Sequence, residues 1–362
     1  MTTVSTAFGD VAAPGHDVST RAVPLARVIR GDLVESVHLG HLVVLGPDGQ
    51  VRLELGDPDA VIWARSSLKP LQALAMLRAG LGLEGAQLAL ACASHSGEPV
   101  HLEVVTEVLR RAGLTVTDLQ NTPALPLDAG AALAWQVAGR GPESLAQNCS
   151  GKHAAMLATC VAAGWSTADY LSPEHPLQAA VRTALPDLTG VPVDHATVDG
   201  CGAPLFSTTV RGLARAFGAI ASAPTRDAGG DGARIAEAMS GHPDLVGGTG
   251  RDVTRVMRAV PGLVAKDGAD GVYAAGLPDG GAVALKILDG GDRPRAAVLG
   301  AALAVAGIDA EALRAVARTP VLGHGRPVGM VEPTFGPGAG AGAGADAGPR
   351  SDDDRPPRVR AR

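Results

Sequence analysis

Apolar and polar positions divide the chain into three zones. Residues 1–25 are polar, punctuated by Gly and Pro and without periodicity, which predicts a disordered arm. Leu33 to Leu45 and Val51 to Leu55 flank a P-D-G turn and predict a β-hairpin, and Val61 to Trp63 reads as a short strand. From about 67 to 240 the pattern turns to Ala/Leu-rich helical spacing, as in L-Q-A-L-A-M-L-R-A, H-A-A-M-L-A-T-C-V-A-A and D-G-A-R-I-A-E-A-M. Strand patterns return at Gly262–Ala265, Gly271–Leu277 and Ala282–Leu288, and an apolar helix follows over Arg295–Val305. Strands at both ends with helices between them predict an α+β fold rather than alternating βαβ units. The expected division is an α/β domain from 26–66 and 245–335, a helical domain over 67–244 inserted into it, and a low-complexity tail over 336–362.

Composition narrows the function classes. Apolar residues make up 46% of the 362, while aromatics make up 2%, so Ala, Val and Leu must build the core. A net charge of −6 leaves no basic stripe for nucleic acid, and the stacking platforms of single-strand binders are missing. The first residues carry neither a basic segment nor an apolar run, and nothing approaches the roughly 18 uninterrupted apolar residues of a membrane span. The expectation is a cytoplasmic protein with no membrane partner. Its four cysteines, at 92, 149, 160 and 201, lack paired spacing and are expected reduced. Of the 31 basic residues only Lys69, Lys152, Lys266 and Lys286 are lysine; the other 27 are arginine. Where generic charge is carried by arginine, a lysine marks a position that needs a removable proton or a compact ammonium.

The candidate chemistry gathers around those lysines. In A-R-S-S-L-K-P, Ser66 and Lys69 stand three apart at a helix start fixed by Pro70. An S-x-x-K at such a place is a nucleophile with its base; its plainer reading is a capping serine beside an exposed lysine. L-A-C-A-S-H-S-G-E ends an apolar run in Ser94, His95 and Ser96, and Cys92 inside that run reads as core. Q-N-C-S-G-K-H crowds Cys149, Lys152 and His153 about Gly151, and V-D-G-C-G-A-P sets Cys201 two residues after Asp199. Cysteines in glycine-rich turns suit a metal or a reactive thiol, though C-x-x-C spacing is absent, and buried reduced thiols fit as well. Cys160 reads as core. Lys266, in L-V-A-K-D-G, follows a strand and precedes glycines. The glycine-rich V-G-G-T-G-R-D, with Thr249 and Arg251, lacks the G-K-[ST] of a phosphate cradle. Lys286 alternates with apolar residues and reads as a solvent-facing strand position.

These motifs in this order (R-S-S-L-K-P, C-A-S-H-S-G-E, N-C-S-G-K-H, V-D-G-C-G-A-P and A-K-D-G-A-D-G, with V-E-S-V-H-L-G-H as a first strand) resemble the type II, rhizobial-type L-asparaginases over about 26–335. The resemblance implies a fold similar to serine β-lactamases and glutaminases, an antiparallel sheet with flanking helices, and a homodimer. It pairs Ser66 with Lys69 and Ser94 with Lys266 as catalytic residues. It places Arg65, Asp199 and His153 about the substrate, and makes Cys149, Lys152 and Cys201 ligands of a metal, typically Zn2+. The implied reaction is hydrolysis of L-asparagine to L-aspartate and ammonia through an acyl-enzyme, with Ser66 attacking and Lys69 as base. Alternatives are a glutaminase, a β-lactamase-like serine hydrolase, or an inactive metal-binding relative. The threonine motifs of other asparaginase classes are absent, and the Gly/Ala tail lies outside the resemblance.

Overall fold

The computed structural model describes residues 17–336. Its strands are β1 (Val23–Arg30), β2 (Leu33–Leu45), β3 (Val51–Leu55), β4 (Val61–Trp63), β5 (Ala196–Val198), β6 (Pro204–Thr209), β7 (Val264–Asp267), β8 (Val272–Gly276), β9 (Ala282–Ile287), β10 (Pro320–Gly323) and β11 (Arg326–Pro333). The helices are α1 (Lys69–Arg78), α2 (Gly85–Ala91), α3 (Pro99–Arg111), α4 (Ala129–Val137), α5 (Ser150–Ala163), α6 (Pro176–Thr189), α7 (Val210–Arg226), α8 (Asp231–Gly241), α9 (Pro243–Val246), α10 (Asp252–Ala259), α11 (Arg295–Val305) and α12 (Ala310–Ala317).

The main sheet runs β10-β11-β1-β2-β9-β8-β7, with β3 also on β2, and every pairing is antiparallel. This is the α+β architecture expected, with the sheet drawn from both ends of the chain. The 13-residue β2 makes the layout possible: its first half pairs with β1, and its second half lies between β3 and β9. β7 and β8 are buried along their whole length because helices cover both faces. On one face Gly276 lies against Phe217 and Ala221 of α7; on the other, Arg295 of α11 sits over the Tyr273 ring. The sheet and the helices of 67–244 share one hydrophobic core.

Two features differ from the expectation. The arm predicted over 1–25 is shorter: Val23–Leu25 already belong to β1, and His41 Nε2 donates to Val18 O at 2.6 Å while its Nδ1 accepts from the Asp57 N–H. Residues 1–16 of that arm and 337–362 of the tail lie outside the described residues. A second small sheet, β4-β6-β5, crosses the zone expected to be all helical. It ties the segment before Ser66 to the turn that carries Cys201. Among the described residues no helix is long and apolar enough to cross a membrane, and all four cysteines are free.

Candidate active site

Strand β4 ends where Arg65 takes a φ of 52°, a left-handed conformation that turns the chain out of the strand. A 3-10 turn over Arg65–Leu68 then runs into α1, with Pro70 in its first turn. This break aims Lys69 inward, where it is 1% exposed. Its Nζ donates to Ala93 O at 2.5 Å and to Ser94 Oγ at 3.0 Å. Ser94 stands just beyond α2, its backbone N–H bonded to Val246 O at 3.1 Å. The pairing therefore differs from the expected one. Lys69 bonds Ser94, not Ser66, because its extended side chain reaches across to the end of α2. Ser66 is half-buried, and its Oγ has no hydrogen-bond partner among the described residues.

Lys266 lies within β7, one position inside the strand rather than after it, and is fully buried. Its Nζ donates to Asp267 O and Oδ1, both at 2.6 Å. Arg251 donates to the other carboxylate oxygen at 2.5 Å. Burial pushes Lys266 down to about 8, with Asp267 resisting and Lys69 adding repulsion. Burial pushes Asp267 up, but Lys266 and Arg251 outweigh it and hold the carboxyl below its ordinary range. Ser67 Oγ donates to Lys266 O at 3.1 Å, so the turn carrying Ser66 is fastened to the strand carrying Lys266.

The third group forms where α5 begins. Gly151 lets that helix start press on the end of α2: a Cβ there would stand 2.6 Å from Leu90 O. Cys149 is the residue before the helix, and Lys152 in its first turn donates to Cys201 Sγ at 3.2 Å. A hydrogen bond from Cys201 pulls the Cys149 thiol well below its ordinary range, against burial and with help from Lys69 and Lys152. Cys201 is pushed up correspondingly, by that bond and by burial. Asp199 accepts from Arg65 Nε and from the Gly200 N–H, both at 2.8 Å. Burial raises its pKa, but Lys152, that N–H and Arg65 bring it below normal. The other arm of Arg65 reaches the exposed Asp270. His153 is buried with Nδ1 on the Tyr170 hydroxyl at 2.9 Å, and its Nε2 has no partner among the described residues. Burial foremost, then Lys152 and Lys69, keep it neutral.

Two thiols and an amine thus converge at Cys149, Lys152 and Cys201, a soft donor set of the kind zinc accepts. Among the described residues no cluster of three or more His, Cys, Asp or Glu side chains converges for a metal, so a metal here depends on the lysine. Cys92 and Cys160 are plain core, both fully buried. Lys286 is half-buried, with Nζ on Asp270 O, and lines a cavity of about 480 Å³ with Arg65, Trp63 and Asp270. Sequence reasoning missed Asp267 and Tyr170, and gave Arg251 no role. Only Asp267, beside a scarce lysine, carried a legible signal.

The L-asparaginase II family matches residues 26–333. No curated protein matches. Among solved structures, one of Mglu in its tris and glutamate form aligns at 15% identity and a TM-score of 0.31, over 77% of this chain and 57% of that one. A second structure of Mglu aligns at 15% and 0.30, over 68% and 61%. The chain thus spans less than two thirds of the length of either protein. With most of its length matched by one family, the chain belongs to the L-asparaginase II family.

Proposed function

We propose that the protein hydrolyses L-asparagine to L-aspartate and ammonia through a serine–lysine acyl-enzyme. The observation that carries this reading is the buried Lys69 amine hydrogen-bonded to Ser94 Oγ, one helical turn from Ser66, whose hydroxyl has no partner among the described residues. Lys69 Nζ donates to two neutral oxygens, Ala93 O and Ser94 Oγ, and the Cys149 thiol also interacts with it. In its deprotonated form Lys69 takes the proton of Ser66 as Oγ attacks the side-chain amide carbon. The tetrahedral intermediate collapses as the C–N bond breaks, and the proton passes from Lys69 through Ser94 to the departing nitrogen, which leaves as ammonia. Water then cleaves the ester and restores Ser66. Asp199 and Arg65 are suited to the α-amino and α-carboxylate groups of the substrate. His153, whose Nε2 has no partner among the described residues, is the further group assigned to the substrate's surroundings.

Cys149, Lys152 and Cys201 would hold a metal, typically zinc. When bound, such a metal supplies a fixed positive charge beside Asp199. The lowered thiol of Cys149 fits this role, since thiolate is the ligand form. The same reading takes the protein as a cytoplasmic homodimer, a state that light scattering on the purified chain measures. Ammonia release from asparagine, run beside glutamine and nitrocefin, tests the activity. Asparagine is expected to be the preferred substrate; turnover of nitrocefin or glutamine alone would replace it.

A further inference from the structure

The glycine-rich segment before α10 has no part in the chemistry above, yet it is fastened at both ends to the candidate site. At one end it holds the Ser94 segment: Ser94 N donates to Val246 O at 3.1 Å and Ser96 Oγ to Gly247 O at 3.0 Å. Thr249 closes the latch, its N–H and hydroxyl donating to the two carboxylate oxygens of Glu98 at 2.7 and 2.9 Å. Gly248 is required here, with a φ of 131° and space so tight that a Cβ would stand 2.2 Å from Ser96 Oγ. At the other end Arg251 reaches Asp267, which holds Lys266. One loop therefore spans from the backbone of Ser94 to the carboxylate partner of Lys266.

We propose that Asp267 and Arg251 are positioning residues that fix the place and the charge of Lys266 beside the Lys69–Ser94 pair, and that the glycine-rich segment serves to deliver Arg251. The inference rests on the reading of Lys266 as part of the site. Two of the three ammonium protons of Lys266 are spent on Asp267, which fixes its direction. The charged and titratable groups around Lys266 are Asp267 on its own strand, Arg251 from the loop, Lys69 from α1 and Cys92 at the end of α2. Asp252, Tyr273 of β8 and Arg295 of α11 in turn face Asp267.

The signs separate positioning from mere packing. Asp267 favours the ammonium of Lys266, so Asp267→Asn shifts the lysine titration to lower pH. Arg251 repels it, so Arg251→Gln shifts the titration to higher pH. A purely structural role predicts lower activity at every pH and no movement of the titration in either variant.

With four lysines in the chain, protein carrying 13C-labelled lysine gives few enough side-chain signals to follow by NMR, and Lys266→Met assigns the one needed. The expected result is a downward shift of about one pH unit or more in Asp267→Asn, tenfold in the ionisation constant, and a smaller upward shift in Arg251→Gln. The inflection in the pH dependence of kcat/KM for asparagine should move in the same direction in each variant, and Asp267→Glu should restore most of it. An unmoved Lys266 titration in Asp267→Asn overturns the inference. If that variant does not fold, the direction seen in Arg251→Gln decides. Absence of ammonia from the wild-type protein sinks the asparagine reading and leaves the lysine titration to decide this inference alone.

Discussion

Replacing Ser94 by alanine probes the hydrogen bond on which the proposed chemistry turns. The substitution removes the Oγ that accepts from Lys69 at 3.0 Å and leaves the backbone bond from Ser94 N to Val246 O in place. Lys69 is 1% exposed, so water does not readily replace the lost acceptor. Leaving one bond of a buried donor unmade costs about 1–3 kcal/mol, and that sets the expected loss of stability. The catalytic loss is larger. Ser94 is the only route by which Lys69 returns its proton in the proposed mechanism, and positioned proton transfer contributes roughly 10²–10⁴-fold. Ser222→Ala provides the comparison: its buried hydroxyl donates to Gly218 O at 2.8 Å within α7, so its removal costs stability without touching the site. Thermal unfolding and ammonia release are measured on both variants and the wild type. Ser94→Ala should lose at least a hundredfold in kcat/KM with a melting point close to that of Ser222→Ala. Activity within about tenfold of wild type, about 1.4 kcal/mol of barrier, would refute the relay.

Two other outcomes follow from the same geometry. Lys69→Arg should be nearly as inactive as Lys69→Met, because arginine keeps the charge but does not deprotonate; substantial ammonia release from Lys69→Arg would make Lys69 a fixed cation instead of a base. Protein purified without chelator should carry about one divalent metal per chain, lost in a Cys149→Ser, Cys201→Ser double variant; elemental analysis showing equal, negligible metal in both would eliminate the site.

Much of the architecture was legible in the chain. The hairpin about P-D-G, the strand Val61–Trp63 and the helix Arg295–Val305 fall where the pattern put them. Strands were missed where alternation breaks down. β1 carries Pro24 and two register shifts, β6 is buried along its whole length and so does not alternate, β10 is only four residues long, and β11 is largely exposed. The scarcity of lysine drew attention to Lys69, Lys152 and Lys266, and the fold buries all three, at 1%, 2% and 0% exposure. It could not reveal their partners. Whether Lys69 meets Ser66 or Ser94 depends on how α1 packs on α2. Arg251 meets Asp267 across 16 positions through a loop whose glycines look like any turn.

The central claim is that a serine–lysine pair at the start of α1 hydrolyses asparagine. Its most direct test is to incubate purified wild-type and Ser66→Ala protein with L-asparagine, follow ammonia, and examine the quenched protein by intact mass. The account predicts ammonia from the wild type, none above background from folded Ser66→Ala, and a transient aspartyl adduct on the wild-type chain only. Wild-type protein that releases no ammonia, or Ser66→Ala that stays within tenfold of wild type, would contradict it.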